Sequence, residues 1–167
     1  MSTGFMRVGF IEVASDSDRL EEYRRVTCFN RRHGNEVQEI SPSEIKRLFP
    51  YADTAPMVAG FYCPDDGRIN PVDLTMTMAK AARLKGVRIF QNTPVTGVLA
   101  RNGTALGVRT EHGDIQAEFV VNCAGMWARQ LGELSGVCIP NQAAEHYYLI
   151  TDEIPGLGKD LPVMEDP

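Results

Sequence analysis

Two stretches of this chain hold residue types at spacings that suit chemistry. In Val120-Val121-Asn122-Cys123-Ala124-Gly125-Met126-Trp127-Ala128 an apolar run ends at Ala124-Gly125, and a helix is predicted from about Trp127. Ligands of open α/β sheets bind outside the carboxyl ends of strands, where helix N-terminal amides can face a phosphate. Ala124 and Gly125 carry so little side chain that a cofactor can approach the main chain. The same residues equally suit an ordinary strand-to-helix turn that needs a glycine. In Ala143-Ala144-Glu145-His146-Tyr147-Tyr148-Leu149-Ile150-Thr151 a period of two puts His146, Tyr148 and Ile150 on one face and Glu145, Tyr147 and Leu149 on the other. His146 and Tyr148 would then face one pocket; the alternative is a hydrogen-bonded, structural histidine. His33, near the end of a charged helix, and His112, in a turn, fit solvated surface.

The bulk of the chain limits what such residues can serve. Its 167 residues suffice for one domain with a real core. A 43% apolar and 23% charged composition is that of a globular protein. A net charge of -5 disfavours a phosphate backbone as partner, and the paired arginines Arg24-Arg25 and Arg31-Arg32 lie among Glu21, Glu22 and Glu36. Nucleic acid is therefore not an expected partner. No apolar run approaches the roughly 20 residues that span a bilayer, and the first ten residues lack a signal-peptide pattern. A cytoplasmic setting is expected, or the mitochondrial matrix in a eukaryote. Cys28, Cys63, Cys123 and Cys138 are widely spaced and form no CxxC, so reduced core thiols are expected and no metal site. Asn102-Gly103-Thr104 matches a glycosylation sequon but is more simply a hairpin turn. The sequence holds no GxGxxG, P-loop or GxSxG.

The elements that must position these residues follow from local patterning. Val8 to Ala14 suits a strand, and Asp16 an N-cap for a helix with Leu20, Tyr23 and Val26 on one stripe, ending near Gly34. Ser41-Pro42-Ser43-Glu44 is a capping box opening a short helix that stops at Pro50. Val58 to Tyr62 suits a strand, and Pro64-Asp65-Asp66-Gly67 a turn. Asn70-Pro71 caps a helix over 72–85 whose apolar residues go round most of its circumference, which predicts packing between layers. Further strands are predicted at Val87 to Gln91, at Phe119-Val120-Val121 as a buried parallel strand holding Cys123 near its end, and at 143–151. Between them, Asn102-Gly103 and His112-Gly113-Asp114 punctuate a β-meander starting at Val95. The order is that of an α/β chain, mixed α+β, without a clean βαβαβ repeat.

Three stretches together resemble the flavin-dependent dimethylglycine and sarcosine dehydrogenase family, among the D-amino-acid-oxidase-like flavoproteins. They are Gly60 to Pro71 (GFYCPDDGRINP), Ile89 to Val95 and Val120 to Thr151. They keep the order of that family's "DG…NP" turn and long helix, its "T-x-V" element and its "N-x-A/T-G-x-W" turn. The resemblance implies a partial FAD-dependent oxidoreductase fold with a mixed sheet, a meander and packing helices. It implies that about 1–62 and 138–167 belong to a substrate domain and about 63–137 to an FAD domain.

Carried onto these positions, the resemblance implies that Val95 meets the adenine end of FAD through its backbone. Ala124 and Gly125 would lie against the flavin nucleotide, with Trp127 starting the adjoining helix. His146 matches the histidine placed near the substrate amine, and Tyr148 is a weaker candidate for that pocket. The family's N-terminal GxGxxG unit, its flavin-linking histidine, its later catalytic tyrosine and its folate-binding C-terminal domain have no counterpart in these residues. The resemblance thus implies an internal piece of a longer protein, inactive and without tightly bound FAD when alone, and possible homodimerisation through an exposed apolar seam. The longer protein would oxidise an N-methyl amino acid of the dimethylglycine or sarcosine type by hydride transfer to FAD. Glu145-His146 is also similar to the family's non-catalytic relative, the regulatory subunit of pyruvate dehydrogenase phosphatase, which leaves a regulatory or binding role as the alternative.

Overall fold

A computed structural model describes residues 2–166 of the chain. In order come strand β1 (Phe10–Ala14), helix α1 (Ser17–Arg32), strand β2 (Gln38–Ile40), helix α2 (Pro42–Leu48), strand β3 (Ala59–Cys63) and helix α3 (Pro71–Leu84). There follow strands β4 (Val95–Arg101), β5 (Thr104–Thr110) and β6 (Gly113–Gln116), helix α4 (Ala128–Glu133) and strand β7 (Val163–Glu165). They fall into two compact units. One holds the residues up to Val87 and those from Glu153 onward; the other is Arg88–Asp152.

The first unit is a mixed four-stranded sheet in the order β2-β3-β1-β7. β1 runs antiparallel to β3 and parallel to β7. Alternation along β1 sends Ile11 and Val13 to one face, where Ile40, Ile45 and Ala52 complete a buried cluster with Met164 packed against it. The other face carries Ala14, Val37, Ala59 and Phe61 beneath Tyr23 of α1, whose ring meets Phe61 edge-on at 5.5 Å. Burial pushes the Cys63 thiol up from its ordinary value, which keeps it a thiol at neutral pH.

Helices α1, α2 and α3 begin where a side chain offers an oxygen to the free amides of the first turn. The Asp16 carboxylate accepts from the Arg19 N–H at 2.7 Å. Ser41 and Glu44 form the reciprocal capping box, and the Asn70 side chain accepts from the Val72 and Asp73 N–H groups. α1 closes with Arg31 and Arg32 at its negative end. In the second unit β4, β5 and β6 form the meander in that order. Asn102 and Gly103 both have positive φ (53° and 78°), the twist that a two-residue hairpin requires.

Several expectations are corrected. The runs at Val87 to Gln91, Phe119 to Val121 and 143–151 form no strands. β-branched and aromatic residues favour a strand only when a neighbour takes up their backbone groups, and none does so among the described residues. Most of their side chains stand in solvent accordingly: Phe119 is 83% exposed and Tyr148 84%. Cys123, Cys28 and Cys138 are exposed rather than core thiols, although all four cysteines are free. On α1 it is Thr27, not Val26, that joins Tyr23 in the interior; Val26 is exposed because the helix stripe turns toward 23 and 27. α3 forms where expected but buries no residue, leaving Val72, Met76, Met78 and Leu84 exposed. The Pro- and Gly-rich tail conceals a strand, β7, that patterning did not indicate.

Candidate functional site

The turn after Val121 is shaped by asparagines. Asn122 accepts from the Ala124 N–H at 3.1 Å through Oδ1 and donates from Nδ2 to the Ala128 carbonyl at 2.9 Å. The Trp127 N–H donates to the Ala124 carbonyl at 3.0 Å. One 3-10 turn, Gly125–Trp127, then leads into α4, so the helix starts one residue after the expected Trp127.

Gly125 has a φ of 56°, in the left-handed region that a Cβ disfavours. A Cβ built there would meet nothing within 4 Å. Conformation, not crowding, therefore calls for glycine, and the main chain on that side is open. Asn141 reaches back sixteen residues and donates to the Gly125 carbonyl at 3.0 Å. Asn122 also borders an apolar crevice of about 310 Å³ lined in part by Val98, Ala100, Val120, Leu131 and Ile139.

The other candidates are placed as follows. Val95 begins β4 and is half-buried, and the pairing register with β5 shifts between Val95 and Gly97. Trp127 is 63% exposed. His146 and Tyr148 lie in an extended, irregular and exposed segment. The Tyr147 hydroxyl donates to the Glu145 carboxylate at 3.0 Å. The structure thus brings Ala124, Gly125 and Trp127 together in one turn. Among the described residues no hydrogen bond joins His146 or Tyr148 to that turn. Asn141 gave no signal in the sequence, since an asparagine after a proline reads as a loop residue.

Among the described residues no group of three or more His, Cys, Asp or Glu side chains could hold a metal ion. Among the described residues no helix is long and apolar enough to cross a membrane.

Comparison with known proteins places the chain among FAD-dependent oxidoreductases. The family model described as FAD dependent oxidoreductase matches residues 1–167. The chain is 35% identical over 171 aligned positions to the mitochondrial sarcosine dehydrogenase of Homo sapiens, covering 99% of this chain and 18% of that protein. It is 36% identical over 166 positions to the mitochondrial dimethylglycine dehydrogenase of Rattus norvegicus, covering 98% of this chain and 19% of that one. Over 154 positions it is also 36% identical to the mitochondrial pyruvate dehydrogenase phosphatase regulatory subunit of Mus musculus, covering 90% of this chain and 17% of that protein. Among solved structures it superposes on L-proline dehydrogenase from P. horikoshii with a TM-score of 0.71 at 27% identity, over 80% of this chain and 36% of that one. The chain spans less than a fifth of the length of these three curated relatives.

Proposed function

Because the chain belongs to the FAD dependent oxidoreductase family, we propose that the longer protein containing it oxidises a small N-methyl amino acid of the sarcosine or dimethylglycine type. The observation that carries this reading is the open, left-handed turn at Gly125, set in a chain similar along nearly its whole length to sarcosine and dimethylglycine dehydrogenases.

The residues present fit one wall of a flavin nucleotide site. At Ala124 and Gly125 no side chain of this chain fills the space over the glycine, so the cofactor can lie against the backbone. Val95 would meet the adenine end through its main chain, and Trp127 would flank the turn. The chemistry supplied by FAD, when bound, is acceptance of a hydride from the methyl carbon of the amine. Only a neutral amine has the lone pair that supports loss of that hydride. His146 would accept or relay the amine proton as a general base. Tyr148 would line the same pocket.

In this reading about 1–62 and 138–167 serve the substrate and about 63–137 the cofactor. That division follows the family motifs and differs from the division by compactness at Val87 and Glu153. The 167 residues alone are proposed not to retain FAD. Placement in the mitochondrial matrix is proposed for a eukaryotic parent; the relatives' names say mitochondrial. A folate-binding domain elsewhere in the longer protein and a homodimer belong to the same reading.

A second reading, a regulatory protein of the same fold, is favoured by the similarity to the phosphatase regulatory subunit. Assaying the full-length protein against N-methyl amino acids separates the two. Turnover supports the enzyme, and a full-length protein that binds no flavin and turns over no amine supports the regulatory role.

A further inference from the structure

We propose that Asn141 is a positioning residue: it locks the Gly125 peptide and ties the cofactor-facing turn to the segment that carries His146. This rests on the flavoprotein reading above.

The turn has few means of holding its shape. Nothing packs where a Gly125 side chain would be, so packing does not fix the backbone there. Three of the hydrogen bonds that shape it come from within the turn: Asn122 to Ala124, Asn122 to Ala128, and Trp127 to Ala124. The bond from Asn141 Nδ2 to the Gly125 carbonyl comes from sixteen residues away. A trans peptide is planar, and its carbonyl and N–H point in opposite directions. Fixing the Gly125 carbonyl toward Asn141 therefore also fixes the Met126 N–H away from it. The orientation of that peptide plane is what a group lying on Ala124 and Gly125 would meet.

Asn141 is itself held. Its own N–H donates to the Ile139 carbonyl at 2.8 Å. Ile139 packs on Gly132 of α4 so closely that a Cβ there would lie 2.9 Å from the isoleucine's terminal methyl and 2.8 Å from the Val137 carbonyl. The path thus runs from the floor of α4 through Ile139 and Asn141 to the turn. His146 follows Asn141 by five residues. A displacement of 139–141 would reach the turn through the Asn141 bond.

The test uses the full-length protein with Asn141→Ala and Asn141→Asp. The second keeps the side chain's size but, ionised, has no N–H to donate. Hydrogen exchange of the peptide covering 123–129 should be about twofold to tenfold faster in both variants, the loss expected for one hydrogen bond. The visible flavin band should shift in both, and kcat should fall while KM for the amine changes little. Wild-type exchange in Asn141→Ala would overturn the proposal. So would an Asn141→Asp protein that matches wild type, because the side chain would then act by volume and not as a donor. If Asn141→Ala does not fold, Asn141→Asp decides alone. A wild-type protein without flavin would contradict the proposed function instead, and the exchange measurement would still decide whether Asn141 braces the turn.

Discussion

Glu12 of β1 and Glu165 of β7 are register partners on parallel neighbouring strands, so two carboxylates share one face of the sheet. Glu22 approaches that face from α1 and is bonded at 2.7 Å to Arg19, whose guanidinium lies over the Tyr23 ring. Burial, and then repulsion by Glu165 and Glu22, raises the Glu12 carboxyl above its ordinary value.

A carboxyl whose folded value is raised favours the folded state only while protonated. That stability is complete below the unfolded value and is lost as pH rises through the folded one. Glu12→Gln should therefore raise the thermal midpoint at neutral pH, and the gain should vanish as pH falls well below about 4, where the wild-type group is protonated in both states. Thermal melts of both proteins across that range check it. An equal difference at every pH would rule out the titration of Glu12 as the cause.

At the start of α2 the Ser41 hydroxyl and backbone N–H both bond to the Glu44 carboxylate, at 2.8 and 2.9 Å, and hold it below the usual carboxylate range. Ser41→Ala should cost about 1 kcal/mol in chemical denaturation, as lost N-caps do. The Glu44 contribution has the opposite pH sense to that of Glu12. It is present at neutral pH and is lost on acidification through the depressed folded value. A Ser41→Ala protein with an unchanged denaturation midpoint would show that the box adds nothing.

His146→Ala in the full-length protein should lower turnover with N-methyl amino acids and alter the pH dependence of kcat/KM. Tyr148→Phe should have the smaller effect. The measurement is a steady-state pH profile for each variant. Unchanged turnover and profile in His146→Ala would remove the histidine from the mechanism.

Much of the fold was legible because its signals are local. The Asp16, Ser41 and Asn70 caps and the Asn102-Gly103 turn act within a few residues, and each stands where its chemistry puts it. The mixed sheet was implied by the family motifs and is present. Illegible were the features that depend on distant partners. Val163–Glu165 is a strand only because β1 offers it an edge, whereas Phe119 to Val121 has strand-forming residues and no partner among those described. In the candidate site the small residues of the turn could be read directly. The reach of Asn141 could not, because a bond over sixteen residues has no signature in spacing.

The most direct test of the account is to mix the full-length protein anaerobically with sarcosine, dimethylglycine or unmethylated glycine and follow the visible absorbance of its flavin. The proposed amine oxidation requires bleaching by at least one of the N-methyl amino acids and none by glycine. A flavin that no N-methyl amino acid reduces, or a full-length protein that carries no flavin, would contradict it.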